Sequence, residues 1–254
     1  METKATSIFI MTLIGICILA PIVSAETAEE WSEKGFSFMM SGESEKAIEC
    51  FNRAIEECNK AIELNPNDTD AYTTRGNAYA KLSRYEAIWD FNKVIELNPN
   101  NADAYCYRGS AYFNLEQYEL AIEDYTKAIK LNSNDEGAYY NRGLAYRDLN
   151  QYKRAIEDYN KVIELNPDNA YAYCNRGVVY DDLSQYGKAI EDYNKALELN
   201  PDDACAYNNR RVALSKSIKQ KATPGQKLTP GFGTISAIVG FLAVAYLCIR
   251  WKSS

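Results

Sequence analysis

The chain has 254 residues and a formal charge of −7, from 28 lysines and arginines against 35 aspartates and glutamates. Its apolar fraction of 46% and charged fraction of 25% match an ordinary globular protein, which excludes a wholly disordered chain. It has no histidine, which excludes Ser-His-Asp hydrolysis and imidazole-ligated metal sites. An acidic chain is also a poor candidate for binding nucleic acid. We therefore expect a non-enzymatic protein with no cofactor, no metal and no nucleic-acid partner.

The first 25 residues have the layout of a secretory signal peptide. Lys4 precedes an apolar stretch over 8–20, and the small residues Ser24 and Ala25 follow it. We predict cleavage after Ala25, which would export the rest of the chain. The alternative is an uncleaved anchor helix, which the short apolar stretch disfavours.

A pattern with a period of 33 or 34 residues occupies the middle of the chain. Arg-Gly pairs begin at Arg75, Arg108, Arg142 and Arg176, and a leucine and a tyrosine follow each pair at equal distances. An alanine comes next, one residue earlier in the first of these copies than in the other three. Most copies end in Leu-Asn-Pro, which stops a helix because the residue before proline is pushed out of the α region. The apolar residues have helical spacing, so each copy predicts two helices.

This pattern resembles the tetratricopeptide repeat over residues 28–203. The resemblance implies an all-α fold, a right-handed superhelix of antiparallel helix pairs, with a C-terminal transmembrane helix added by the tail. The glycine of each Arg-Gly pair and the later alanine let the two helices of a repeat approach closely. The predicted units are repeats at 28–68, 69–101, 102–135, 136–169 and 170–203, a capping helix at 204–220, a linker at 221–231 and a transmembrane helix or sorting signal at 232–249.

The first repeat is irregular. Residues 52–58 are nearly duplicated by 59–64, and this insertion predicts a second helix that is longer by about two turns, or roughly 10 Å.

Repeats of this family bind ligands on a concave face lined by the first helix of each repeat. The sixth position of that helix carries Asn141, Asn175 and Asn209, which resemble the asparagine ladder of the O-linked N-acetylglucosamine transferase repeats. An amide both donates and accepts, so it can bind the main chain of a peptide of any sequence. The alternative is that these asparagines are only polar residues on a solvated face. The full set of predicted groove residues is Asn77, Tyr107, Tyr140, Asn141, Asn175, Asn208 and Asn209.

The carboxylate clamp of chaperone-adaptor repeats is a different groove chemistry, and only Asn77 fits its pattern. We therefore do not expect the groove to bind a chaperone C-terminus.

An arginine and an aspartate recur together in the four regular repeats. We predict a partly buried ion pair between the two helices of each repeat, with a structural rather than a catalytic role. The predicted pairs are Arg75 with Asp90, Arg108 with Asp124, Arg142 with Asp158, and Arg176 with Asp192.

The C-terminal tail contains 18 uncharged residues, 232–249, followed by Arg250 and Lys252. Such a segment can just cross a bilayer, and the positive residues after it would place the repeats outside the cell. Pro230, Gly231 and Phe232 resemble the start of the PGF-CTERM sorting signal of archaeal surface proteins. The resemblance implies cleavage near this motif and transfer to a lipid, whereas the alternative is a plain tail anchor.

Two smaller features concern an exported chain. Asn67 begins the N-glycosylation sequence Asn-Asp-Thr in a loop between repeats, and Cys174 and Cys205 stand on neighbouring first helices where they could meet.

We expect a membrane-anchored scaffold on the cell surface that binds a protein or peptide partner in its groove. The alternative function is an accessory factor for assembly or maturation of a cell-surface or membrane complex.

Overall fold

The computed structural model of the protein describes residues 26–221. Over this range it contains eleven α-helices and no β-strand, so the all-α prediction is confirmed for the described residues. The helices are α1 (Ala28–Met40), α2 (Ser44–Leu64), α3 (Thr69–Lys81), α4 (Glu86–Leu97), α5 (Ala102–Asn114), α6 (Tyr118–Leu131), α7 (Glu136–Asp148), α8 (Tyr152–Leu165), α9 (Ala170–Asp182), α10 (Tyr186–Leu199) and α11 (Ala204–Lys221).

The helices form a solenoid in which each one packs mainly on its neighbours in the chain. The odd-numbered helices α1 to α9 are the first helices of five pairs, here called A helices, and the even-numbered ones are B helices. The last helix, α11, packs on α10 and α9 and covers the end of the array. Its Arg211 is exposed and stands where the other A helices have glycine.

No helix within residues 26–221 has the length and apolar character needed to span a bilayer. The predicted signal peptide at 1–25 and the predicted transmembrane or sorting segment at 232–249 lie outside the described residues.

Short polar residues start four of the A helices. The side chains of Asp68, Asn101, Asp135 and Asn169 each accept a hydrogen bond from the backbone N–H three residues later, at 2.9–3.0 Å. These bonds satisfy one of the amide groups that a helix start leaves without a partner, a contribution of about 1 kcal/mol per cap.

The B helices end at a leucine followed by an asparagine in an extended or near-extended conformation, as Asn98 does before Pro99. Asn132 has the same conformation although Ser133 replaces the proline. The end of α6 therefore does not require a proline.

Each A helix approaches its B helix closely at a glycine. In the fourth repeat a Cβ on Gly143 would lie 2.9 Å from the ring of Tyr159, and Gly177 is related to Tyr193 in the same way. Both tyrosines are almost fully buried. The glycines are thus needed because an aromatic ring of the B helix occupies the space of a side chain.

The long helix α2 has 21 residues, against 14 in α6, α8 and α10. In this helix Phe51 directly precedes the first copy of the duplicated sequence and lies against Gly35 of its own repeat. The second copy places Asn59 against Arg75 of the next repeat, at 2.6 Å. In the regular repeats adjacent residues perform these two tasks, as Tyr159 and Asn160 do. The duplication therefore separates the two contacts by seven further residues.

Candidate functional site: a groove along the A helices

The first part of the groove is an open pocket of about 510 Å³ that α1, α3 and α5 line. Phe36 and Tyr107 contribute their side chains to it and remain 48% and 40% exposed. Phe51 and Phe91 form its buried floor. Lys81 lies over the Phe36 ring with its Nζ 5.4 Å from the ring centroid. The pocket thus presents four aromatic side chains among polar ones, and its volume is ample for an apolar side chain of a ligand.

Polar residues border this aromatic pocket. They include the predicted groove residue Asn77 together with Ser32, Ser110 and Asn114. Such groups can orient a ligand while the aromatic surface supplies contact area.

A second pocket of about 380 Å³ lies farther along the groove, at the starts of α7 and α9. Its lining consists of Tyr140, Tyr171, Gly137, Glu136 and Asn169. The Tyr171 side chain is 63% exposed, whereas Tyr140 is partly buried.

A hydrogen-bond network lies beside the second pocket. Asn175 Nδ2 donates to Tyr140 Oη at 2.9 Å and to the Tyr171 carbonyl at 3.0 Å. Asn175 Oδ1 accepts from Arg147 at 2.8 Å, and Arg147 also forms an ion pair with Asp148 at 2.9 Å. The amide of Asn175 is therefore already engaged within the protein.

One hydroxyl near this network has no hydrogen-bond partner. Tyr125 donates its hydroxyl to Ser110 at 3.1 Å, but Leu144 stands at the equivalent place in the next repeat. The buried Tyr159 hydroxyl consequently has no partner among the described residues. Burial raises the pKa of Tyr159, although the nearby Arg147 opposes that rise.

The predicted asparagines differ in their surroundings. Asn141 is partly buried, Asn208 is exposed, and Asn209 Nδ2 lies 3.4 Å from Cys205 Sγ. The sequence interpretation missed Phe36 and Tyr171, which occupy the ninth and second positions of their A helices. Both positions face the groove in this family, so the register could have identified them.

A bidentate ion pair is present in each of the four regular repeats. The arginine Nε and one terminal nitrogen donate to the two carboxylate oxygens, as Arg142 does to Asp158 at 2.9 and 2.7 Å. The shortest distances are 2.6 Å for Arg75–Asp90, 2.6 Å for Arg108–Asp124, 2.7 Å for Arg142–Asp158 and 2.7 Å for Arg176–Asp192. The aspartates are buried and the arginines nearly so.

Each of these arginines also donates to the preceding B helix. Arg142 donates to Thr126 Oγ1 at 3.0 Å, and Arg176 donates to Asn160 Oδ1 at 2.6 Å. One guanidinium therefore connects three helices. Burial raises the pKa of Asp158, and the Arg142 guanidinium counteracts that rise. None of these arginines and aspartates lines either groove pocket, and the arrangement has the features of a structural contact.

The cysteines of the described residues are all free thiols. Burial, together with the neighbouring Cys205 thiol, raises the pKa of Cys174 to about 12. No cluster of three or more His, Cys, Asp or Glu residues suited to a metal ion occurs within 26–221. Asn67, the predicted glycosylation site, is exposed in the turn between α2 and α3.

Comparisons with protein-family models identify the repeats. A model described as "TPR repeat" matches residues 85–116 and 143–183. Two described as "Tetratricopeptide repeat" match 102–135 with 170–203, and 57–90 with 124–157. These matches run without a gap from residue 57 to residue 203, more than half of the chain. The chain belongs to the tetratricopeptide repeat family.

The tail also matches a family model. The PGF-CTERM motif matches residues 229–252, which include Pro230, Gly231 and Phe232. The predicted resemblance of the tail to this sorting signal is therefore confirmed at the level of sequence. No curated protein gives a match to the chain.

Solved structures share the fold. The crystal structure of MamA is 29% identical, covers 67% of this chain and 96% of its own, and has a TM-score of 0.57. YrrB, reported as "a TPR protein with an unusual peptide-binding site", is 27% identical, covers 72% of this chain and 92% of its own, and has a TM-score of 0.56. A thermophilic TPR protein of Thermus thermophilus, at 20% identity and a TM-score of 0.60, shows the fold alone; it covers 74% of this chain and 100% of its own.

Proposed function

We propose that the protein is a non-enzymatic interaction scaffold that binds an extended peptide segment of a partner protein along the A helices. The observation that carries this proposal is the aromatic pocket with its exposed Phe36 and Tyr107 side chains. Large aromatic side chains in a concave site are typical of the residues that contribute most to binding. The similarity to YrrB, whose structure is reported to have a peptide-binding site, supports the same function.

We propose that Asn141 and Asn209 bind the main chain of the peptide between side-chain pockets. Their side-chain amides are at least partly accessible in the groove. Asn175 could bind the peptide main chain only if its hydrogen bond to the Tyr171 carbonyl were broken. It is therefore better suited to holding Tyr140 and Arg147 in place.

The test uses peptides selected from a random-sequence library by the purified full chain. The double variant Asn141→Ala/Asn209→Ala is expected to weaken binding of the selected peptides about tenfold, because each lost hydrogen bond costs about 0.5–1.5 kcal/mol. Isothermal titration calorimetry measures the change. Asn52→Ala, an exposed asparagine of the B helix α2, is the matched control. Equal affinities for the double variant and the control would contradict the asparagine contacts.

A second candidate function, an accessory of a membrane complex, is favoured by an exposed aromatic pair at the start of the B helix α4. Tyr85 and Trp89 are 59% and 65% exposed, and their ring centroids lie 5.7 Å apart. The three later repeats have a glutamate at the position of Trp89. An accessory factor that docks through its B helices would use this pair, whereas a peptide receptor would not.

We propose that the tail anchors the repeats to the outer surface of the cell membrane. The match to the PGF-CTERM motif supports this location. In the proposed processing, Pro230 and Gly231, which are residue types that disfavour helix, would offer extended backbone to a protease just before the apolar segment.

Mass spectrometry of the mature C-terminus tests this processing. A sorting signal is expected to be removed, so that the mature chain ends near Pro230 and carries a lipid. A plain anchor keeps its own end, with Arg250 and Lys252 inside the cell. Recovery of an intact terminal peptide ending in Trp251-Lys252-Ser253-Ser254 from mature protein would exclude the sorting reaction.

A further inference from the structure

The pocket at the starts of α7 and α9 differs chemically from the aromatic pocket. Its lining combines two tyrosines, Tyr140 and Tyr171, with the acidic residue Glu136 around a volume of about 380 Å³. Gly137 contributes no side chain to this lining. Two aromatic faces beside a carboxylate form a suitable environment for a positive charge.

The carboxylate of Glu136 is fixed in position by two amides. Its Oε1 accepts from Asn166 Nδ2 at 3.2 Å and from Asn169 Nδ2. No lysine or arginine among residues 26–221 forms an ion pair with Glu136, and its Oε2 accepts no hydrogen bond there. The adjacent Asp135 is different, since one oxygen caps α7 and the other accepts from the Cys106 thiol.

The tyrosine rings of the pocket also have no cation of their own. Elsewhere in the solenoid, arginines and lysines lie over tyrosine rings at 4.5–6.0 Å, as Arg154 does over Tyr146 and Arg176 over Tyr180. Among the described residues no such cation lies over Tyr140 or Tyr171. Arg147 is near Tyr140, but Asp148 and Asn175 already hold its guanidinium.

We propose that this pocket binds the cationic side chain of a lysine or arginine from the partner peptide, between Tyr140 and Tyr171 and against Glu136. The inference rests on the proposed function and specifies its partner: a peptide with a basic residue some distance from an apolar one. The free oxygen of Glu136 supplies a charge-assisted hydrogen bond, and the tyrosine rings supply cation–π contacts. Carboxylate and phosphate groups would be repelled by the same oxygen.

The test titrates the purified full chain, in detergent, with small probes of defined charge. The probes are N-acetyl-arginine methylamide, N-acetyl-lysine methylamide and N-acetyl-citrulline methylamide, the last being a neutral analogue of arginine. The readout is the NMR shift of the Gly137 amide, since this glycine lines the pocket. We expect saturable shifts with the arginine or lysine probe and at least tenfold weaker binding of citrulline. The cationic probe that binds more tightly identifies whether the pocket prefers a lysine or an arginine side chain of the partner.

Two variants of equal charge change complete the test. Glu136→Gln keeps the shape of the side chain and is expected to weaken the cationic probes about tenfold without affecting citrulline. Glu157→Gln, an exposed glutamate of the B helix α8, is expected to leave all probes unchanged. Equal binding of citrulline and arginine, or no saturable shift with either cation, would overturn the proposal. Even if the cation proposal failed in this way, the proposed function would stand as long as mutation of the aromatic pocket abolished binding of the selected peptides.

Discussion

The Arg142→Met variant is expected to lose about 3–5 kcal/mol of unfolding free energy, because it leaves the buried Asp158 carboxylate without its partner. Methionine retains much of the apolar stem of arginine, so the loss reports the charge and not a cavity. The missing bond to Thr126 adds a smaller contribution. Chemical denaturation monitored by circular dichroism measures the difference.

Arg210 provides a matched control at the same position of α11. It donates to Asn194 Oδ1 at 3.0 Å, as the other arginines donate to the preceding B helix, but no ion pair of Arg210 with a carboxylate occurs among the described residues. Arg210→Met is therefore expected to cost only about 0.5–1.5 kcal/mol. If Arg142→Met and Arg210→Met lost similar amounts of unfolding free energy, the unpaired Asp158 carboxylate would contribute nothing to the loss.

A second substitution separates the cost of an unpaired charge from the value of the pair. Arg142→Met/Asp158→Leu removes both charges, and replacing a buried ion pair by apolar residues is often neutral or stabilising. The double variant is expected to recover most of the stability lost by Arg142→Met. A double variant that is even less stable than Arg142→Met would show that the ion pair itself stabilises the fold.

Much of the fold follows from the sequence because the same few residues recur in the four regular repeats. The spacing of Arg75, Arg108, Arg142 and Arg176 fixes the period, and the glycine beside each arginine marks the close approach of two helices. The duplication at 52–64 predicts a longer helix, and α2 is longer than the regular B helices. The sequence does not, however, indicate how the contacts to Gly35 and Arg75 are distributed along α2.

The groove is less predictable, because its properties depend on neighbours from different repeats. Asn175 has the same position as Asn141, but Tyr140 and Arg147 of the preceding repeat occupy its amide. Likewise, the Tyr159 hydroxyl has no partner within the described part of the chain, because Leu144 replaces the serine that accepts the Tyr125 hydroxyl in the preceding repeat. A period of 34 residues reveals equivalent positions but not these differences between them.

The aromatic pocket is expected to contribute most of the peptide affinity. The double variant Phe36→Asp/Tyr107→Asp places two carboxylates where we propose that an apolar side chain of the peptide is buried. We expect affinity for the selected peptides to fall at least 100-fold, because buried aromatic anchors contribute about 2 kcal/mol or more each. Both side chains are partly exposed in the free protein, so the solenoid is expected to fold normally.

Trp89→Asp/Leu120→Asp is the matched control on the B helices, where both side chains are also exposed. It introduces the same charges outside the groove and is expected to leave peptide affinity unchanged. If this control lost affinity and the groove variant did not, peptides would bind at the B helices and the accessory function would be favoured.

The most direct measurement of the central claim is therefore the dissociation constant of one selected peptide for the wild-type full chain and these two double variants. We predict a loss of at least 100-fold for Phe36→Asp/Tyr107→Asp and none for Trp89→Asp/Leu120→Asp. Unchanged affinity in the groove variant, with circular dichroism and melting temperature equal to those of the wild type, would contradict peptide binding along the A helices.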